Sequence, residues 1–231
     1  MSRGKVSVVL AHGAWADGSS WAKVIGPLQA AGHPVSAAPL PLTSFAADVM
    51  ALEQALERLP GPTVLAGHAY AGAAIAATRN DDVKALVYVA ALAPEQGETV
   101  ADVFYRAPLH VKAPQLAPDS HGLIYLPESA FATAFAPNAA PDERALLAAV
   151  QRPIAAACIS VPMDHPRWRD LPSWFLIAEQ DVMIAPETQR FMAERMRART
   201  RAHQADHTPL VTAPTLVVDI IREAVADIAA R

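Results

Sequence analysis

Residues 67 to 72 read Gly67-His68-Ala69-Tyr70-Ala71-Gly72 and follow the apolar run Thr63-Val64-Leu65-Ala66. The spacing matches G-x-S-x-G, a sharp strand-to-helix turn that lifts a serine nucleophile above a sheet. Here Ala69 stands at the nucleophile position and Ala71 at the last glycine. A methyl group cannot attack a carbonyl. Either the turn is coincidental or it belongs to a nucleophilic site that lacks its nucleophile. Two further residues bear on that choice. Asp181 closes Ala178-Glu179-Gln180-Asp181, and His207 lies in Asp206-His207-Thr208. Asp181 follows an apolar run that reads as a strand, and His207 follows a weaker strand at Thr200–Gln204. A serine hydroxyl needs a base near neutral pH, which imidazole supplies. A carboxylate must orient that imidazole and stabilise its charged form.

Acyl transfer also needs donors for the developing oxyanion. The amide of Tyr70, next after the nucleophile position, is one. The loop His12-Gly13-Ala14 offers the other at Ala14, although the same residues could form a plain tight turn. His203 and His207 have the i, i+4 spacing of a helical metal pair. Their segment reads as strand then loop, however, and no Glu follows His203, so no metal is expected. Asp206 is a less favourable acid than Asp181 because it adjoins His207. His68 is expected to point into the fold. No G-x-G-x-x-G or P-loop follows the first strand, so no cofactor is expected.

The elements that would position these groups alternate. Strands are expected at Lys5–Ala11, Pro34–Ala38, Thr63–Ala66, Val83–Ala91, Ser173–Ala178 and, more weakly, Thr200–Gln204. In the first helix Trp21, Val24, Ile25 and Leu28 share one face and Gly32 ends it. Further helices are expected at Ser44–Leu59, Ala71–Ala77, Pro186–Met196 and Thr212–Ala230. Strand–helix alternation predicts an α/β fold, a mostly parallel sheet of about six strands with helices on both faces. The alternation stops between Pro94 and Pro172, where prolines cluster around two short helical pieces, Glu128–Phe135 and Pro141–Gln151. The expected organisation is therefore a core of residues 1–93 and 173–231 with a cap inserted over 94–172.

The bulk composition narrows the function classes. The chain has 231 residues, 52% of them apolar, which is enough for one sizeable core. A net charge of −4 argues against a nucleic-acid binder. The one basic cluster, Arg195, Arg197, Arg199 and Arg201, reads as a solvated edge. A single cysteine, Cys158, excludes an intramolecular disulfide, suits a reducing compartment and reads as packed core. Met1 to Lys5 lead straight into a strand-like run, with neither a secretory signal nor a membrane span. The expected setting is a cytoplasmic protein with no membrane partner.

The chain resembles the small bacterial α/β-fold esterases that are similar to plant methyl esterases and hydroxynitrile lyases. The resemblance covers nearly the whole length. It rests on Val8 to Trp21, the elbow, Ala85 to Ala91, and Ala178 to Ile184. The order nucleophile, acid, histidine is that of the α/β-hydrolase triad. The family's elbow commonly reads G-H-S-Y-G-G or G-H-S-Y-A-G, so Ala71 fits and Ala69 departs. Similar hydroxynitrile lyases carry a lysine after the catalytic histidine and a threonine in the first loop. Thr208 and Gly13 stand there, which favours ester hydrolysis.

The resemblance implies a serine carboxylesterase acting on a small hydrophobic or aromatic ester, with Ala69 replacing the serine in an inactive form. The alternatives are a natively serine-free protein, in which His207 and Asp181 abstract a substrate proton, and a non-catalytic small-molecule binder. The cap should roof the site. Trp15, Tyr70, Phe104, Tyr105, Tyr125, Phe131, Phe135, Met163, Trp168, Val182 and Met183 are the expected wall. A homodimer through the cap is a further possibility that related folds raise.

Overall fold

A parallel sheet needs strands apolar on both faces, and five of the six expected runs supply them. The computed structural model describes residues 5–231; the reading of Met1 to Gly4 lies outside them. The strands are β1 Ser7–Ala11, β2 Val35–Ala38, β3 Thr63–His68, β4 Val83–Val89, β5 Leu123–Ile124, β6 Ile154–Ala155, β7 Ser173–Ala178 and β8 Arg199–His203. Six of them form one all-parallel sheet in the order β2-β1-β3-β4-β7-β8. β5 and β6 form a separate antiparallel ribbon.

The helices are α1 Ala22–Ala30, α2 Phe45–Glu57, α3 Ala71–Ala77, α4 Val100–Phe104, α5 Glu128–Ala130, α6 Pro141–Ala149, α7 Ala156–Ile159, α8 Pro186–Arg195, α9 Pro209–Thr212 and α10 Pro214–Ala229. α10 buries Val217, Val218, Ile221, Ala224, Val225 and Ile228, and packs on α1, β4 and β7. α2 starts at Ser44, whose hydroxyl accepts from the Ala47 amide, and packs on α3. In α3, residues Ala71 to Ala76 are all buried, so small side chains let it lie close to β3.

The boundaries depart from the periodicity where backbone geometry intervenes. β3 runs two residues past Ala66, to His68. β4 stops at Val89 because Ala90 turns into the left-handed region at φ 44°. The expected terminal helix is split. Ala213 precedes Pro214 and leaves the helical region (φ −142°, ψ 53°), since proline disfavours the α conformation in the residue before it. Between β4 and β7, α5 continues as a single π-helical stretch, Phe131–Phe135. Here also lie α6, inside the expected Pro141–Gln151 piece, and α4, α7 and the β5–β6 ribbon, whose short segments left no periodic trace.

The sheet order creates a topological switch. From β1 the chain steps outward to β2, then crosses back to β3 on the other side of β1. Loops leaving the carboxyl ends of β1 and β3 therefore diverge around a crevice, the place where open α/β sheets bind ligands. Register pairs Ala11 with Gly67, which sets the His12-Gly13-Ala14 loop beside the elbow.

Candidate active site

The elbow is a true strand-to-helix turn. Ala69 sits at φ 49°, a conformation that is costly for a residue with a Cβ. Its carbonyl accepts from the amides of Leu92 (2.9 Å) and Gly72 (3.1 Å), and its amide donates to Val89 (3.3 Å). A Cβ at Gly67 would meet the Ala71 backbone at 2.9 Å, and one at Gly72 would meet the Leu92 carbonyl at 2.4 Å. The turn thus needs glycine at 67 and 72, and Ala71 is accommodated.

Asp181 and His207 meet above the sheet. His207 Nδ1 donates to Asp181 Oδ2 at 2.9 Å, with both residues buried. A carboxylate can only accept, so it fixes the tautomer and leaves Nε2 as the free ring nitrogen. Asp181 Oδ1 accepts from the amides of Met183 (2.8 Å) and Ile184 (2.9 Å). Oδ2 also accepts from Gln189 Nε2 at 2.8 Å. Fully buried Gln189 was not legible in the sequence: it lies eight positions beyond Asp181, inside α8, in no recognisable motif.

His207 is braced from behind. Phe135 packs on its ring at 5.3 Å between centroids and His68 at 4.9 Å. His68 Nε2 donates to the His207 carbonyl at 2.7 Å. Burial first, then the neighbouring His207, pushes the His68 imidazole down to about 3. It is therefore neutral at ordinary pH and serves as a fixed donor.

The amides of Tyr70 and Ala14 take part in no hydrogen bond among the described residues. A Cβ on Gly13 would lie 3.0 Å from the Ala69 Cβ, so the two loops touch at this point. Trp15, at φ 58°, ties the first loop to the segment between β4 and β7. Its amide donates to Arg152 (3.0 Å) and its indole Nε1 to Ile124 (2.9 Å).

A cavity of about 60 Å³ opens over Ala69. Ala14, Trp15, Ala69, Tyr70 and His207 form its floor, and Phe104, Tyr105 and Met183 are in its wall. The other expected wall residues do not reach it. Phe131 and Phe135 are buried as the packing behind His207. Trp168 is buried, with its indole donating to the Pro94 carbonyl. Met163 pairs by its backbone with Gly97 and Glu98. Tyr125 is 51% exposed, one residue past the wall residue Ile124. Val182 packs against the core beside Asp181. The remaining wall is Leu92, Val100, Ala101, Leu116, Ile124, Ile154, Ile159 and Ile184. Aliphatic residues scattered over so much chain carry no sequence signal that separates a wall from a core.

A model of the alpha/beta hydrolase family matches residues 8–220. The chain belongs to the alpha/beta hydrolase family. Among solved structures it is similar to polyneuridine aldehyde esterase, at 17% identity and a TM-score of 0.82 over 96% of this chain and 99% of that one. A methylesterase from Arabidopsis is similar at 16% identity and a TM-score of 0.78, covering 96% and 99% of the two chains. A pyrethroid hydrolase from Sphingobium faniae JZ-2 is similar at 20% identity and a TM-score of 0.77, covering 98% of each. At these identities the likeness is one of fold. No curated protein sequence matches the chain.

In this alpha/beta hydrolase the competing polar groups have other partners. Asp206 accepts from the Asn138 amide, the Thr208 amide and the Thr212 hydroxyl, anchoring α9 instead of His207. His203 ends β8, and its carbonyl accepts from Glu179 and Ala205. Among the described residues no group of three or more His, Cys, Asp or Glu is placed to hold a metal ion, and no helix is long and apolar enough to cross a membrane. The arginine series divides. Arg199 and Arg201 pair with Asp227 and Glu223 at the surface. Arg195 departs from a solvated edge: it is largely buried, pairing with Glu98 and donating to the Ala93 carbonyl.

Proposed function

We propose that this site is that of a serine-type carboxylic ester hydrolase acting on a small apolar ester, carried here in a form whose nucleophile position is Ala69. The reading is carried by the backbone at residue 69. It keeps a strained left-handed turn that aims its side chain at the cavity, with the His207–Asp181 pair on one side and two free amides on the other. Only an oxygen atom is missing from that arrangement.

With serine at 69, Oγ would pass its proton to His207 Nε2 and attack the ester carbonyl carbon. The Ala14 and Tyr70 amides would hold the tetrahedral oxyanion. His207 would then protonate the departing alcohol, leaving an acyl-enzyme. A water molecule, deprotonated by His207, would release the acid. Asp181 stays ionised throughout and holds the ring. The aliphatic wall favours uncharged substrates with hydrophobic groups on either side of the ester.

The test is Ala69→Ser assayed on p-nitrophenyl and methyl esters of short and aromatic acids. Loss of the serine in a comparable triad costs on the order of 10⁶ in kcat. The serine form should therefore hydrolyse esters at least ~10⁴-fold faster than the chain as it stands, and His207→Ala should abolish the gain. Turnover at background rate in the serine form would sink the reading.

A second reading follows from Ala69 itself. Without a serine, His207 Nε2 faces a bound carbonyl compound directly, and the oxyanion amides could stabilise an enolate. Proton abstraction, as in lyase or cofactor-free oxygenase chemistry, is then open to the chain unchanged. Deuterium uptake at the α-carbon of a bound ketone, lost in His207→Ala, would favour it. Tight ligand binding without any turnover in either form would favour a binding protein.

A further inference from the structure

Asp48 is a carboxylate on α2 with no exposed surface. Burying such a group is costly unless its oxygens are satisfied. Its two oxygens hold two different parts of the active site. Oδ2 accepts from the Tyr70 hydroxyl at 2.6 Å, and Oδ1 accepts from the Leu42 amide at 2.7 Å. Tyr70 is the residue after the nucleophile position and lines the cavity. Leu42 is held at φ 58°, and its carbonyl accepts from the Ala155 amide at 2.9 Å. Ala155 belongs to β6, next to the wall residue Ile154. One carboxylate therefore ties the elbow to the ribbon that roofs it. Burial pushes the Asp48 carboxyl up and the neighbouring Cys158 thiol to about 12, with hydrogen bonds from Tyr70 and Leu42 opposing the shift at Asp48.

We propose that Asp48 is a positioning residue of the site: by gripping the Tyr70 hydroxyl and the Leu42 amide together, it fixes the direction of the Tyr70 amide and the height of the wall at Ile154. The inference rests on reading the Tyr70 amide as an oxyanion donor. Such a donor acts on the transition state more than on the bound ester. Asn at 48 keeps the shape but replaces the charged acceptor at the Tyr70 hydroxyl with an uncharged amide, so the charge-assisted grip is lost and the hydroxyl must turn to accept. Phe at 70 removes the hydroxyl and leaves the amide in the chain.

The experiment has two arms. In the serine form, Asp48→Asn and Tyr70→Phe are each expected to lower kcat about 10- to 100-fold while KM changes less than about 3-fold, since removing an oxyanion donor outright costs ~10²–10³. The double variant should be no worse than the poorer single one, because both cut the same link. Unchanged kcat in both single variants, or losses that multiply, would overturn the proposal. The second arm uses the chain as it stands, with Ala69. There, Asp48→Asn should move the backbone amide resonance of Tyr70 and speed its hydrogen exchange. A Tyr70 amide that neither moves nor exchanges faster overturns the proposal, whatever the serine form does. Absence of turnover after Ala69→Ser would instead refute ester hydrolysis and leave the amide arm to decide on Asp48.

Discussion

Asp181 accepts four hydrogen bonds, from the Met183 and Ile184 amides, Gln189 Nε2 and His207 Nδ1. Three of those donors exist to hold the carboxylate still for the fourth. Gln189 is the one that a single substitution can remove. Its amide group also accepts from the Ala178 amide (3.0 Å) and donates to the Ile184 carbonyl (2.9 Å). It therefore joins β7, the acid loop and α8. Gln189→Leu leaves these buried groups unpaired, each at a cost of about 1–3 kcal/mol. Urea unfolding should show a loss of at least that size. In the serine form, kcat should fall about 10-fold as Asp181 loses its fixed orientation, far short of the ~10⁴ that loss of the carboxylate charge itself costs in a related triad. A Gln189→Leu protein with wild-type stability and unchanged kcat would show that the backbone donors suffice.

The elbow makes the same argument at the level of two elements. β3 and α3 meet at an angle that leaves no room for a side chain at Gly72, where a Cβ would stand 2.4 Å from the Leu92 carbonyl. Gly72→Ala should destabilise the protein by about 1–3 kcal/mol, the cost of overpacking a close contact. Ala71→Gly should cost only the ~0.5–1 kcal/mol of helix entropy. Thermal unfolding of the two variants compares them directly; equal losses would mean that the helix does not press on the 91–92 loop. Much of this geometry was legible in the chain. Strands buried on both faces write unbroken apolar runs, and sites at strand ends inherit their places from those runs, which is how Ala69, Asp181, His207 and the Ala14 loop could be read together. The cavity wall was not legible. Its side chains come from Leu92 to Ile184 through short pieces such as α4 and the β5–β6 ribbon. The conspicuous aromatics Phe131, Phe135 and Trp168 went instead to brace His207 and to pack the segment between β4 and β7.

For the whole molecule, the carboxyl ends of the central strands are built on imidazoles that must stay neutral. His12 follows β1 and His68 ends β3. Both are buried, and His12 Nε2 and His68 Nδ1 have no partner among the described residues. Burial is the first cause that lowers both, His12 below its ordinary value and His68 to about 3. In the unfolded chain both would bind protons near pH 6.5. Below that pH the unfolded state therefore holds more protons than the folded one, and stability falls as pH falls, down to about 3 for His68. Each histidine contributes a slope of up to about 1.4 kcal/mol per pH unit. The depressed carboxylates Glu95, Asp102, Asp119, Glu143 and Asp227 add to the loss only nearer their own lower range. Asp48, whose carboxyl burial pushes up, takes up its proton in the folded state and works against the histidine loss, so the comparison with a variant that leaves Asp48 in place isolates the histidine. His68→Gln retains a donor for the His207 carbonyl while removing one titrating group. Unfolding free energies from urea titrations at pH 7.5, 6.0 and 5.0 should decline steeply for the parent chain and less steeply, by close to one proton, for His68→Gln. Parallel curves for the two proteins would mean that the core beneath the active site admits the proton after all, and that the brace on His207 yields in acid.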